Sequence, residues 1–189
     1  MSEKIIRCPW ANEDPFSQQY HDTVWGVPCH DERQLFKMLL LEGKQAGLSW
    51  VCILRKMETL CAAFDDFDPQ KIADYDELKA AELLQNPGII RNRLKVAAAV
   101  TNAKAYFTLC EKHGSLDRYI WSFTEGKQII NHWEKQEQMP ATSPLSDTIS
   151  KELKKQGFKF IGSTIIYSYL QAIGVINDHI ERCAFRERK

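Results

Sequence analysis

The chain carries no surplus of charge: 25 Lys and Arg balance 25 Asp and Glu. No global field therefore announces a nucleic-acid or membrane partner. No apolar run approaches the roughly 20 residues needed to cross a bilayer, so no membrane contact is expected. The opening MSEKIIRCPW lacks the apolar stretch of a secretory signal. Six cysteines at irregular spacing, in a chain with no export signal, read as free thiols or metal ligands rather than a disulfide framework. Alternating runs of β type are nearly absent, as are internal repeats and low-complexity linkers. The expectation is a monomeric protein of the cytoplasm.

What is present is helical periodicity and enough apolar residue to build a core. The 189 residues are 44% hydrophobic, sufficient for one sizeable core or two small lobes sharing an interface. The lobes expected are a helical one over about 30–145 and a second made of about 1–29 with 146–189. Asp31 reads as an N-cap, with Leu35, Phe36, Leu39 and Leu40 as the apolar stripe behind it. A helix is predicted from Ser49 or Trp50 through Ile53, Leu54, Met57 and Leu60 to about Phe64. Asp68-Pro69 and Asp76 cap two short helices with Ile72, Ala73, Leu78, Leu83 and Leu84 as buried faces. After the Asn86-Pro87-Gly88 turn a long helix runs from about Ile90 to Cys110, ended by His113-Gly114-Ser115. The polar stretch from Thr124 to Pro144 is the candidate long loop. Ser146 is predicted to cap a helix ending at Gly157, followed by helices near Ser163–Ile173 and Asn177–Cys183. The fold class is all-α.

Two pairs of metal-binding residues stand at opposite ends. Cys8 precedes His21 by thirteen residues; His179 and Cys183 are four apart, a spacing that puts two side chains on one helical face. Two thiolates and two imidazoles form a closed tetrahedral set suited to structural zinc, with no position left for a catalytic water. The plainer reading is four unrelated core or surface residues, drawn from six Cys and five His.

Charge is uneven despite its zero sum. Eight acidic residues lie between Glu58 and Gln85, opposed only by Lys71 and Lys79. Basic residues gather at Arg91, Arg93 and Lys95, and again at Lys151, Lys154, Lys155 and Lys159. These are either solvated helix faces or binding surfaces. The second group surrounds LKKQGFKFIGSTIIYSYLQAIG, residues 153–174. Gly157 and Gly162 permit tight turning there, and Ser163 or Thr164 would cap the next helix, whose first N–H groups make an anion site. An ordinary αα-hairpin would look the same.

This segment resembles the helix-hairpin-helix element of DNA repair glycosylases, which grips a DNA phosphate without reading sequence. In many members of that superfamily a catalytic Asp stands two residues before the His of the segment matching GVINDHIERC (174–183). Here Asn177 holds that place and Asp178 follows it. The strings CPWANEDPFSQQYHDTVWGVP (8–28), LLLEGKQAGLSWVCILRK (39–56) and GIIRNRLK (88–95) are similar to those of the 3-methyladenine DNA glycosylase I family, over nearly the whole chain. The resemblance is weakest between about Thr124 and Pro144. It implies a helix-hairpin-helix glycosylase-like helical bundle, acting on double-stranded DNA with alkylated bases. It also implies a structural zinc held by Cys8, His21, His179 and Cys183, joining the terminal segments.

A base in duplex DNA must be flipped out before its glycosidic bond can be attacked. Methylation at N3 makes adenine cationic and a good leaving group, so the enzyme needs discrimination more than acid catalysis. Aromatic faces attract cations by roughly 0.5 to 2 kcal/mol, and a carboxylate accepting hydrogen bonds from the base adds to the preference. By resemblance, Glu42, Tyr20 and Trp50 form the catalytic pocket together with Trp10 and Trp25, while Gly157, Lys159, Gly162, Ser163 and Thr164 contact DNA. Read from sequence alone, Glu42 would be a helix-end surface carboxylate and the aromatics core residues. Ser17 stands where some relatives have an aromatic. The implied reaction is hydrolysis without strand cleavage. The alternatives are a zinc-stapled module that recognises DNA damage without catalysis, and a metal-dependent hydrolase, for which a four-ligand zinc leaves no open site.

Overall fold

Aspartates begin most helices of the N-terminal half. In the computed structural model, which describes residues 5–12 and 14–187, a 3₁₀ turn at Pro9–Ala11 leads to α1 (Pro15–Thr23), whose Asp14 cap accepts from the Ser17 N–H. Asp31 caps α2 (Glu32–Gln45) through the Gln34 N–H at 2.8 Å. Next come α3 (Trp50–Arg55) and α4 (Met57–Ala63), then α5 (Pro69–Ala73) capped by Asp68 and α6 (Glu77–Gln85) capped by Asp76. The long α7 (Arg93–His113) starts at an Asn92 cap, and α8 (Leu116–Ser122) at Ser115. β1 (Ile129–Ile130) precedes α9 (Pro144–Lys155) and α10 (Ser163–Ala172); β2 (Ile176–Asn177) follows and pairs with β1 in parallel, Ile129 opposite Ile176. The all-α expectation holds, with this two-residue pairing added.

The centre is α2, against which α3, α7, α8 and α10 all pack. Its second half is buried on every side, from Met38 to Lys44. A helix covered all round cannot keep its polar positions wet, and that is why Glu42 and Lys44 end up in the interior. The Lys44 ammonium sits 3.6 Å from the Phe64 ring centroid, and burial lowers its pKa to about 7.

Several local expectations are corrected. The predicted helix from Ser49 to Phe64 is two helices, broken at Lys56. Leu78, expected in a buried face, is 80% exposed, and α6 packs through Leu83 instead. Lys95, counted with a basic surface cluster, is buried: its ammonium donates to the carbonyls of Lys44 (2.8 Å) and Ala46 (2.6 Å) and so caps the end of α2. Ser143 rather than Ser146 caps α9; Ser146 is the reciprocal partner in a capping box. Gly162, with no side-chain bond, stands at the N-cap of α10 where Ser163 or Thr164 was expected. The stretch 124–144 is mostly irregular as predicted, but β1 and a 3₁₀ turn at Gln136–Gln138 lie inside it.

The largest departure is at the end of the chain. Residues 177–183 are not helical. The Val175 and Asn177 carbonyls accept from the Ile129 and Asn131 N–H groups at 2.9 and 3.0 Å, which draws the backbone extended. Gly174 makes this turn possible: with φ +71°, a Cβ there would lie 2.2 Å from the Val27 carbonyl carbon. A tight turn, Cys183 N–H to Ile180 carbonyl at 2.8 Å, then carries Cys183 back toward His179.

Candidate functional site

Four residues from both ends of the chain meet in the interior. Cys8 precedes the first 3₁₀ turn, His21 lies in the last turn of α1, and His179 and Cys183 flank the turn after β2. Their ligand atoms all lie within 4.8 Å of one another, and all four residues are buried. The Cys183 sulfur is 3.3 Å from His179 Nδ1 and 3.5 Å from His21 Nε2, and the Cys8 sulfur is 3.7 Å from His179 Nδ1. Metal–sulfur and metal–nitrogen bonds of about 2.3 and 2.0 Å at tetrahedral angles put S and N roughly 3.5 Å apart, so the quartet has the dimensions of a tetrahedral metal site. The far ring nitrogens are engaged as such a site requires. His21 Nδ1 meets Asp22 at 2.8 Å, itself paired with Arg7 at 2.7 Å, and His179 Nε2 meets the Trp25 carbonyl at 3.1 Å. Hydrogen bonding from the Cys8 thiol, and then from the two imidazoles, pulls Cys183 far toward thiolate; Cys8 is pushed up in return. The helical-face argument for His179 and Cys183 therefore fails while their convergence stands. The other four cysteines and these two are all free thiols.

An aromatic chain continues from the quartet. The His179 ring lies 4.6 Å from Trp25, Trp25 5.0 Å from Trp10, Trp10 6.2 Å from Tyr20, and Tyr20 5.2 Å from Trp50, all in edge-on or tilted contacts. These rings open on a cleft of about 420 Å³ with Glu42 in its wall, within the size range of small-molecule sites. All five residues expected in the pocket line it. Glu42 is 2% exposed, and its Oε2 has no hydrogen-bond partner among the described residues. The same holds for Trp50 Nε1. A buried polar atom without a partner costs about 1 to 3 kcal/mol, so two orphans in one cleft mark places where a bound molecule would supply an acceptor and a donor. Burial raises the Glu42 carboxyl to about pKa 8. Tyr20 is raised as well, by burial first and by Glu42 second.

Sequence reasoning missed other lining residues: Gln45, Gln136, Met139, Ser168 and Gln171. Two come from the stretch taken for a plain loop, where the Gln136 side chain accepts from the Trp10 N–H at 2.8 Å. Ser168 and Gln171 sit three apart on α10, a spacing that shares one face and was the one available signal. Ser17 does not line the cleft; it is buried and its hydroxyl meets Asp14 at 3.4 Å. Asn177 and Asp178 are engaged elsewhere. Asn177 accepts from the His179 N–H and donates to the Arg186 carbonyl. Asp178 is fully buried and accepts from Asn131, Trp133, Tyr167 and Gln171.

The α9–α10 hairpin is built tightly. Gly157 has φ +96°, Phe158 and Ile161 are buried, and Asn102 on α7 clamps the backbone of Lys159 from both sides, at 2.7 and 3.0 Å. The Lys159 and Thr164 side chains face solvent, whereas the Ser163 hydroxyl is tied to that of Ser146 at 2.8 Å. No side chain caps α10, and Ser163 at its start lines a surface depression with Lys151, Lys154, Lys155 and Asp147.

The sequence profile of the methyladenine glycosylase family matches residues 10–187. DNA-3-methyladenine glycosylase 1 of Escherichia coli is 43% identical over 94% of this chain and 95% of its own length. DNA-3-methyladenine glycosylase of Haemophilus influenzae is 42% identical over 94% and 96%. A crystal structure of 3-methyladenine DNA glycosylase I superposes with a TM-score of 0.93 at 45% identity, over 96% of this chain and all of that one. The enzyme from Staphylococcus aureus, whose structure addresses 3-methyladenine recognition, does so with a TM-score of 0.93 at 35% identity over 97% of both chains.

Proposed function

The chain belongs to the methyladenine glycosylase family, and we propose that it hydrolyses the N-glycosidic bond of 3-methyladenine in alkylated double-stranded DNA, leaving an abasic site. The observation that carries this reading is the aromatic cleft with the orphaned Glu42 oxygen in its wall. Two solved structures of 3-methyladenine DNA glycosylase I at 35% identity bear on this base: one is a complex with 3-methyladenine, the other concerns its recognition.

Trp10, Tyr20 and Trp50 supply faces for a flipped purine, and their quadrupoles favour a cationic base. Glu42 refines the choice. At pKa about 8 its carboxyl holds a proton at neutral pH in the empty cleft, so it begins as a neutral group with one donor and one acceptor. A cationic base with N–H groups facing it favours the ionised form, and the carboxyl releases its proton to solvent as the base binds. The pocket thus becomes anionic only when the right base fills it, and neutral adenine gains less. The attacking group is water: no lysine among the described residues lines the cleft, so none of them stands ready to form a Schiff base, and the reaction proposed does not include strand cleavage.

The α9–α10 hairpin serves as a helix-hairpin-helix grip on one phosphate, through Gly157, Lys159, Gly162, Ser163 and Thr164. Cys8, His21, His179 and Cys183 hold one structural zinc; their closed Cys₂His₂ donor set and spacing fit that ion. Bound zinc would supply no chemistry at the base, only a fixed junction between the terminal segments. The reading has the protein work as a monomer in the cytoplasm; none of the described helices is long and apolar enough to cross a membrane.

One observation favours a second reading, a module that binds damage without catalysis: Asp178, beside the place where the superfamily carries its catalytic Asp, is spent on four hydrogen bonds. Incubation with methylated DNA and chromatography of the supernatant decides between them. Free 3-methyladenine with matching abasic sites supports hydrolysis; retained binding with no released base supports the module. A borohydride-trapped covalent adduct would refute attack by water.

A further inference from the structure

Asp178 has no part in the reaction as described, yet four different side chains donate to it. Its Oδ1 accepts from Asn131 Nδ2 at 2.7 Å and Trp133 Nε1 at 2.8 Å; its Oδ2 accepts from the Tyr167 hydroxyl at 2.7 Å and Gln171 Nε2 at 2.6 Å. Only one of these four donors, Gln171, also lines the cleft. With Trp133 Nε1 and the Tyr167 hydroxyl already donating to its two oxygens, this carboxylate takes the NH₂ end of the Gln171 carboxamide, at 2.6 Å. The amide is planar, and the carbonyl oxygen is therefore the branch left for the cleft. That oxygen has no hydrogen-bond partner among the described residues.

We infer that Gln171 is a specificity-determining acceptor for the exocyclic amine of the flipped base, and that Asp178 is the positioning residue that keeps it an acceptor. A free glutamine amide could turn either end toward a ligand and would tolerate a carbonyl as readily as an amine. Tied to Asp178, it presents oxygen only. The ligand class that follows is an N-alkylated purine bearing an amine at C6, in preference to one bearing a carbonyl at C6, which would set two oxygens against each other. The network also explains why a short parallel pairing holds residues 129–131 against 175–177: it brings Asn131 and Trp133 to the same carboxylate and stiffens the positioning group from the side away from the cleft. This inference rests on the glycosylase reading given above.

The test compares kcat/KM for release of 3-methyladenine and of 3-methylguanine from methylated DNA by the wild type, Asp178→Asn and Gln171→Met. In Asp178→Asn the new side chain can donate, so Gln171 can reverse, and the adenine-to-guanine ratio should fall at least tenfold. Gln171→Met removes the acceptor at similar size; 3-methyladenine release should fall about tenfold with 3-methylguanine release little changed. Equal loss on both substrates, or an unchanged ratio in Gln171→Met, overturns the inference. If Asp178→Asn does not fold, Gln171→Met alone decides, since its side chain reaches no metal ligand. Absence of any base release by the wild type would instead strike the glycosylase reading.

Discussion

Replacing Glu42 by Gln should make the protein more stable and less active, and the two effects should part with pH. Glu42 is 2% exposed with one oxygen unpartnered, and burial raises its pKa from 4.5 to about 8. For a group raised on folding, the protonated form is the one the fold accepts. Its contribution to stability is complete below the unfolded value of 4.5 and is lost as pH climbs to 8. The loss runs at about 1.36 kcal/mol per pH unit, so by pH 7 it reaches about 3 kcal/mol. A carboxamide in the same place never ionises and escapes it. Glu42→Gln should therefore gain up to about 3 kcal/mol at pH 7, or roughly 6–12 °C in Tm for a chain of this size, and less than about 1 kcal/mol at pH 5. Excision should move the other way. The amide cannot become the carboxylate that the bound cationic base calls for, and losing a charged, desolvated hydrogen bond costs about 1.5 to 3 kcal/mol. That is about ten- to a hundredfold in rate. Wild-type kcat/KM should rise with pH toward 8 and that limb should flatten in the variant. Thermal melts at pH 5 and 7, with base release measured across the same range, check all of this. A variant less stable at both pH values, or one that excises normally, would show that Glu42 is a packing residue and that the cleft is not the base pocket.

Other expectations concern the supports of that cleft. Cys8→Ser or Cys183→Ser should lower zinc content and Tm together, whereas Cys29, Cys52, Cys61 and Cys110 should each tolerate Ala with metal retained; elemental analysis of protein purified without chelator is the measurement. Gly26→Ala places a Cβ 3.1 Å from the His179 ring on a backbone with φ +73°, so metal affinity should drop even though no ligand is changed, as a chelator competition assay would read. Lys159→Ala should weaken DNA binding and reduce the slope of log K against log salt by about one, leaving base preference intact in the release assay.

Caps, apolar stripes and turn residues were legible because each acts over a few neighbours. Asp31, Asp68 and Asp76 all bond the N–H groups their positions predicted. Leu35, Phe36, Leu39 and Leu40 are buried as their spacing required. What was not legible depends on distant partners. The segment at 177–183 has a helical spacing of ligands, yet the strand pairing with 129–131 and the four bonds to Asp178 hold it extended. Lys95 looks like surface charge until the end of α2 arrives with two carbonyls to be satisfied. Gln136 and Met139 enter the cleft from a polar stretch with no period at all, where resemblance to relatives was also weakest. Glu42 was legible only through the family resemblance: a carboxylate at a helix end is ordinarily solvated, and it is the complete covering of α2 that makes this one a buried acid.

The Cys8, His21, His179 and Cys183 quartet and the pocket share walls, and this decides what loss of the proposed metal would do. His21 and His179 are in ring contact with Trp25, at 5.8 and 4.6 Å, and His21 with Trp10 at 5.3 Å. Trp10 and Trp25 line the cleft that Glu42 enters. The same His179 takes its backbone position from Asn177, next to the Asp178 that holds Gln171. A closed four-ligand site does no chemistry on a base, yet it fixes two aromatic walls of the cleft from below and borders the carboxylate behind a third side. Rings that must stack on a purine lose effectiveness with displacements well under the width of an atom. Removal of the proposed zinc should accordingly reduce excision at temperatures where the fold is still intact, with KM rising before kcat falls, because the walls position the base and Glu42, on α2, stays where the core holds it. Loss of activity only in step with unfolding would mean that the metal fastens the chain ends and nothing more.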